Sequence, residues 1–160
     1  MKNLTLKNIA LTIFAVLALC LGVWTNNQLK FDFITLDEQK HSWSEMQGKW
    51  IVVNYFAEWC APCLREIPEL NHFNQLNQAD IYMFGMSFDQ LERGKLIDLQ
   101  QKYDIQFPLI QSAVTLPWSQ RPTSLPTTFI IGADGEVKKQ LKGEQSADKL
   151  LKTIRALQSL

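Results

Sequence analysis

Residues 50–66 read Trp50-Ile51-Val52-Val53-Asn54-Tyr55-Phe56-Ala57-Glu58-Trp59-Cys60-Ala61-Pro62-Cys63-Leu64-Arg65-Glu66. The first seven form an unbroken β-branched and aromatic run, the pattern of a strand covered on both faces and therefore central in its sheet. From Leu64 to about Asn77 the chain is helix-forming, with Ile67, Leu70 and Phe73 on one side. Pro68 lies inside that stretch, where its missing N–H and its ring clash predict a kink. The two thiols therefore sit at a strand-to-helix junction, in one turn, where they can close a reversible disulfide. Two thiols at this spacing also supply half of a zinc site. No second thiol pair is present, however: the remaining cysteine is Cys20, and His41 and His72 do not form a C-x-x-C/H-x-x-x-H spacing. Redox use is the reading this spacing favours near a βαβ pattern.

Working outward, Phe31 to Leu36 alternates with period two and suits an edge strand. Ile81 to Ser87 reads as a second apolar strand, and Leu91 to Tyr103 as a second helix with Leu96, Leu99 and Tyr103 at helical spacing. Strand, helix, strand and helix in that order predict a parallel core with right-handed crossovers. Phe107 to Ile110 suits a short strand, and Thr115 to Leu125, with Pro117, Trp118 and Pro122, an ordered loop near the surface. Thr127 to Ile131, the turn Gly132-Ala133-Asp134-Gly135 and Glu136 to Lys142 form a hairpin pattern. From Ser146 the tail places Leu150, Ile154 and Leu157 on one face, with Asp148 in the first turn, as a terminal amphipathic helix.

The 160 residues suffice for one domain that buries a core without disulfide staples. Sixteen basic residues balance sixteen acidic ones, with no basic stripe, which argues against a nucleic-acid partner. Three cysteines are too few for a disulfide framework, so the pair is chemical rather than structural. Ile9 to Trp24 is uncharged and apolar, preceded by Lys2 and Lys7. It reads as a membrane-targeting segment of a length between a signal-peptide core and a spanning helix. Small-residue cleavage sites are poor here, which favours an uncleaved anchor. The lysines before it and Asp32, Asp37 and Glu38 beyond it put the domain outside the cytoplasm. Cys20 follows Leu-Ala-Leu in faint likeness to a lipoprotein signal; a small apolar residue in lipid is the plainer reading. The expected organisation is a segment 1–27 that anchors or targets, followed by a domain over residues 28–160.

From Phe31 onward the chain resembles the thioredoxin superfamily, and within it the membrane-tethered, extracytoplasmic TlpA/ResA/DsbE-like thiol-disulfide oxidoreductases. The residues that carry the likeness are Asn54 to Cys63, then Glu66 and Pro68, then Leu125-Pro126-Thr127-Thr128-Phe129 and Asp134-Gly135. About 65 residues separate Cys60 from Pro126, room for the extra strand and helix of this branch. The resemblance implies an α/β thioredoxin-like fold, a central mixed sheet flanked by helices, behind a single-pass anchor in a bacterial cytoplasmic membrane. It implies disulfide exchange with protein substrates outside that membrane, usually by reduction, apocytochrome c being one such client. A membrane thiol-disulfide carrier would donate the electrons. No cofactor and no metal are called for.

Cys60 is expected as the nucleophile at the exposed N-terminus of the helix, and Cys63, one turn inside, as the resolving thiol. A helix N-terminus contributes about 0.3 to 2 kcal/mol. That lowers a thiol pKa by roughly 0.2 to 1.5 from about 8.5. Hydrogen bonds from the Cys63 thiol and the backbone near Ala61 would supply the rest. Resolution requires Cys63 to lose its proton, which a buried thiol resists unless a base is near. Minimal thioredoxins carry a buried Asp on the central strand; Asn54 stands there and cannot titrate. Glu66, three residues past Cys63 and on the same side of the helix, is the expected acceptor, with burial raising its pKa. The competing reading is a solvated glutamate paired with Arg65. The resemblance further implies that Pro126 is cis, and that Leu125, with Trp59, Ala61 and Pro62, forms the surface that meets substrate, partly by strand addition. Trp118 and Arg121 could shape partner choice, or simply pack. A metal-handling or redox-inert binding module is the alternative; a copper chaperone of this fold would need a late histidine, and none follows His72. Peroxide reduction would need a cysteine in a different helical context.

Overall fold

The computed structural model describes residue 8 and residues 11–20, 31–76 and 79–159. The chain divides into two compact units, residues 1–31 and 32–160. In the first, residues 11–20 are helical (α1), and Leu11, Phe14 and Leu19 are exposed. Among the described residues no helix is long and apolar enough to cross a membrane. Much of the expected segment 1–27 lies outside the described residues.

The second unit is built on β3 (Trp50–Phe56). Its side chains alternate between two buried faces, as an apolar run without polar interruption requires. Ile51 and Val53 face one hydrophobic cluster and Val52 and Phe56 the other. β3 pairs in parallel with β4 (Ile81–Ser87) and antiparallel with β6 (Thr127–Ile131). β4 is parallel to β5 (Leu109–Ala113), and β7 (Val137–Lys142) closes the hairpin onto β6. Gly135 adopts φ +81° in the connecting turn, a conformation open to glycine at little cost. At the far side β1 (Phe33–Thr35) is antiparallel to β5 and to β2 (Lys40–His41). The result is a mixed seven-stranded sheet in the order β2-β1-β5-β4-β3-β6-β7.

Two expectations are corrected here. The strand near Phe31 is not an edge strand, because the two-residue β2 pairs outside it. The short strand expected at 107–110 begins two residues later and runs to Ala113, since Phe107 and Pro108 serve the turn into β5 while Gly85 N–H reaches the Pro108 carbonyl at 2.8 Å.

Three helices bury their apolar stripes in one cluster on one face of the sheet. α2 (Ala61–Gln75) supplies Ile67, Leu70 and Phe73, α3 (Arg93–Lys102) supplies Leu96 and Leu99, and α4 (Ala147–Gln158) supplies Leu150 and Ile154. α2 continues through Pro68 to Gln75. On the opposite face, loop residues Trp43, Met46 and Trp118 close over Phe33, Ile51, Phe84 and Ile131. Trp118 stacks flat on Phe129, ring centroids 4.5 Å apart, and donates to the Tyr55 hydroxyl at 3.3 Å. The loop 115–125 is thereby fixed by its one aromatic residue, Trp118, despite having no periodicity.

Candidate active site

β3 delivers the chain to the start of α2. Cys60 caps the helix with extended backbone, and its sulfur accepts the Cys63 N–H at 3.3 Å. Pro62 sits in the first turn, where an N–H would have no intrahelical partner. No acidic residue occupies that turn, so nothing there offsets the positive end of the helix dipole. Cys60 and Cys63 are joined as a disulfide, with Cα atoms 5.3 Å apart. Cys60 is 5% exposed, which corrects the expectation of an open thiol: linked to a sulfur one turn inside, it belongs to the core cluster in this oxidised state. What faces solvent is Ala61 and Trp59, the latter 66% exposed.

Trp59 is held rather than free. Its Nε1 donates to Asp89 Oδ2 at 2.9 Å and its ring meets Phe88 edge-on. Arg121 lies over the Phe88 ring, 4.4 Å from the centroid, and donates to the Phe88 carbonyl. Arg121 and Asp89 also line a cavity of about 470 Å³ with Tyr55, Met86 and Leu91. The Leu125–Pro126 bond is cis, as the resemblance implied. Pro126 is buried, and its carbonyl accepts the Gly143 N–H at 2.9 Å.

The register of the sheet sets the surroundings of Glu66, three residues past Cys63 on α2. Asn54 shares the helix-side face of β3 with Val52 and Phe56, opposite Thr128 on β6. Its Nδ2 donates to Thr128 Oγ1 at 3.1 Å and to Glu66 Oε1 at 2.8 Å. Glu66 is 2% exposed, and its Oε2 accepts the Gln145 backbone N–H at 2.8 Å. Burial pushes the carboxyl up to about 7, against the hydrogen bonds from Gln145 and Asn54; Glu144 pushes the same way and Lys149 opposes. The solvated pairing with Arg65 does not occur: Arg65 forms its ion pair with Glu144 at the surface. Asn54 and Gln145 as partners of Glu66, and Asp89 as partner of Trp59, were not foreseen from sequence. The Gln145 contact spans 79 positions and leaves no local pattern. Among the described residues no group of three or more His, Cys, Asp or Glu is placed to hold a metal ion.

A C-x-x-C disulfide at a helix start, on a mixed sheet of this order whose β6 is entered through a cis proline, defines a thioredoxin-fold thiol-disulfide oxidoreductase. The chain belongs to the AhpC/TSA family, whose pattern matches residues 25–140. It is similar to the thiol-disulfide oxidoreductase ResA of Bacillus cereus, 26% identical over 117 residues, covering 72% of this chain and 67% of the relative. In structure it resembles StoA from Bacillus subtilis (TM-score 0.65, 21% identity, 76% of this chain and 93% of StoA). A thiol:disulfide interchange protein from Chlorobium tepidum is similar in fold (TM-score 0.66, 23% identity, 79% and 91% coverage). The TlpA/ResA/DsbE-like likeness thus stands, and with it the enzyme class.

Proposed function

We propose that the protein reduces disulfides of protein clients outside the cytoplasmic membrane, apocytochrome c being one candidate, while its N-terminal segment tethers it to that membrane. In this reading the Cys60 thiolate attacks a client disulfide and forms a mixed disulfide. Cys63 passes its proton to Glu66 and attacks the Cys60 sulfur; the Cys60–client bond breaks, its electron pair leaving with the client sulfur. The client gains two electrons, and the enzyme is left with the Cys60–Cys63 disulfide found in the structure. A membrane thiol-disulfide carrier returns the two electrons. Trp59, Ala61 and Pro62 would meet the client, and the backbone of Leu125 would pair with it as an added strand.

The observation that carries this reading is the buried Glu66 carboxyl on α2, three residues beyond Cys63, with burial pushing it up to about 7. A base poised near neutrality serves the step in which the dithiol gives up electrons, because a buried thiol must then be deprotonated. The tether is supported by the exposed Leu11, Phe14 and Leu19 of α1 and by the lysines before it. Replacing Cys63 with Ser in the full chain removes the resolving sulfur. Client proteins are expected to accumulate as reductant-sensitive adducts on non-reducing gels of isolated membranes, and to vanish when Cys60 is also replaced. A Cys63→Ser protein that accumulates no adduct on Cys60 would favour the redox-inert binding module instead.

A further inference from the structure

Both oxygens of Glu66 receive hydrogen bonds from N–H donors: Oε1 from the Asn54 amide and Oε2 from the Gln145 backbone, each at 2.8 Å. This arrangement suits the carboxylate. It offers no lone pair to the proton of a neutral carboxyl, and a buried O–H without an acceptor is costly. Yet a base that takes the Cys63 proton must spend part of each turnover as the neutral acid.

One acceptor on the residue whose backbone holds Glu66 Oε2 is idle. Gln145 is 3% exposed, and its Oε1 is buried without a hydrogen-bond partner among the described residues. The amide orientation is set by Nε2, which donates to the Gly143 carbonyl at 2.6 Å, leaving oxygen at the free end. The segment carrying Gln145 is fastened on every side. Gly143 N–H binds the Pro126 carbonyl, Ala147 N–H binds Glu69 Oε2 at 3.0 Å, and Glu144 pairs with Arg65.

We propose that the side-chain carbonyl of Gln145 accepts the proton of neutral Glu66, so that one residue holds both states of the base: the anion through its backbone N–H, the acid through Oε1. Gln145 is a positioning residue acting through Glu66, and this rests on the reading of Glu66 as the acceptor for Cys63. The proton balance is simple. The Cys63 S–H bond breaks, an O–H bond forms on Glu66 and points at Gln145 Oε1, and the new thiolate attacks Cys60. Of the groups facing Glu66, Glu144 and Lys149 carry charge and act in opposite directions, Cys63 shares α2, and β3 and β6 present the neutral Asn54 and Thr128.

The test uses the reduced full-length protein and a peptide disulfide, with single-turnover rates followed across the pH range of the Glu66 titration. Gln145→Met keeps the backbone N–H and the side-chain length but removes the acceptor. The midpoint attributed to Glu66 is expected to fall by about one unit, a tenfold change in its protonation equilibrium. The infrared C=O band of neutral Glu66, identified by its loss in Glu66→Gln, is expected to rise in frequency in Gln145→Met. In the unsubstituted protein that band should lie at the lowered frequency of a donating carboxyl; a free-carboxyl frequency would overturn the proposal without any change at position 145. Glu66→Gln separates the two ideas. Unchanged turnover in Glu66→Gln sinks the base and this inference together, whereas slowed turnover there with an unmoved midpoint and band in Gln145→Met sinks the Gln145 role alone.

Discussion

Asn54 holds a place on the central strand from which any side chain must confront Glu66. Its amide donates to both Glu66 and Thr128, so it supports the carboxylate without adding charge. Asn54→Asp would set a second buried carboxylate against the first, two like charges that cannot both ionise in a dry pocket. The expected outcome is a loss of about 2 kcal/mol or more in mildly alkaline solution. The loss should shrink in acid, where one carboxyl takes a proton. Urea denaturation at two pH values checks it; a loss independent of pH would mean the two groups do not interact. The sequence showed that Glu66 shares a helix side with Cys63, because that is a matter of three residues. It could not show that Arg65 turns to Glu144, or that the other oxygen is held by Gln145, because both partners arrive from the far end of the chain.

At the scale of elements, legibility followed the strength of the local pattern. β3, β4, β6 and α4 were readable because long apolar runs or a clean helical stripe leave one solution. β2 has two residues and no pattern, so its existence, and with it the interior place of β1, came from pairing alone. α3 begins at Arg93 rather than Leu91, since Glu92, at the N-cap position, takes extended backbone. The β4–β5 contact gives a sharper test. Gly85 lies opposite both Asn54 and Leu109, and a Cβ there would stand 2.6 Å from Leu109 Cδ2 and 2.7 Å from Phe107 Cε2. Both neighbours are buried at 1–2% exposure, with no room to withdraw. Gly85→Ala is therefore expected to cost about 1–3 kcal/mol. At Gly132, by contrast, the added carbon meets the side chains of Lys138 and Asp134, which are partly exposed and can shift, so Gly132→Ala should cost less. Equal urea midpoints for the two variants would contradict the tight β4–β5 packing described here.

For the molecule as a whole, the buried Glu66 carboxyl ties stability to pH in a direction opposite to most carboxylates. Burial raises Asp32 as well, but hydrogen bonds from Thr115, Trp43 and Ser42 outweigh it and leave that group below its ordinary value. Its contribution is present at neutral pH and is lost as the solution turns acid. Glu66 runs the other way. With its carboxyl pushed from 4.5 to about 7, the folded protein binds more protons than the unfolded chain between those values. Stability from this group is therefore greatest below pH 4.5, falls as pH rises through the window, and levels off above about 7. Integrated over that shift, the change is on the order of 3 kcal/mol. The total curve sums many groups, so the measurement is the difference in unfolding free energy between the protein and Glu66→Gln. Relative to the variant, the parent should lose stability steadily from mild acid to neutrality and then hold a constant offset. A flat difference across that window would mean that Glu66 ionises in the fold as it does in water, and a group so unperturbed could not serve as the proton acceptor for a buried thiol.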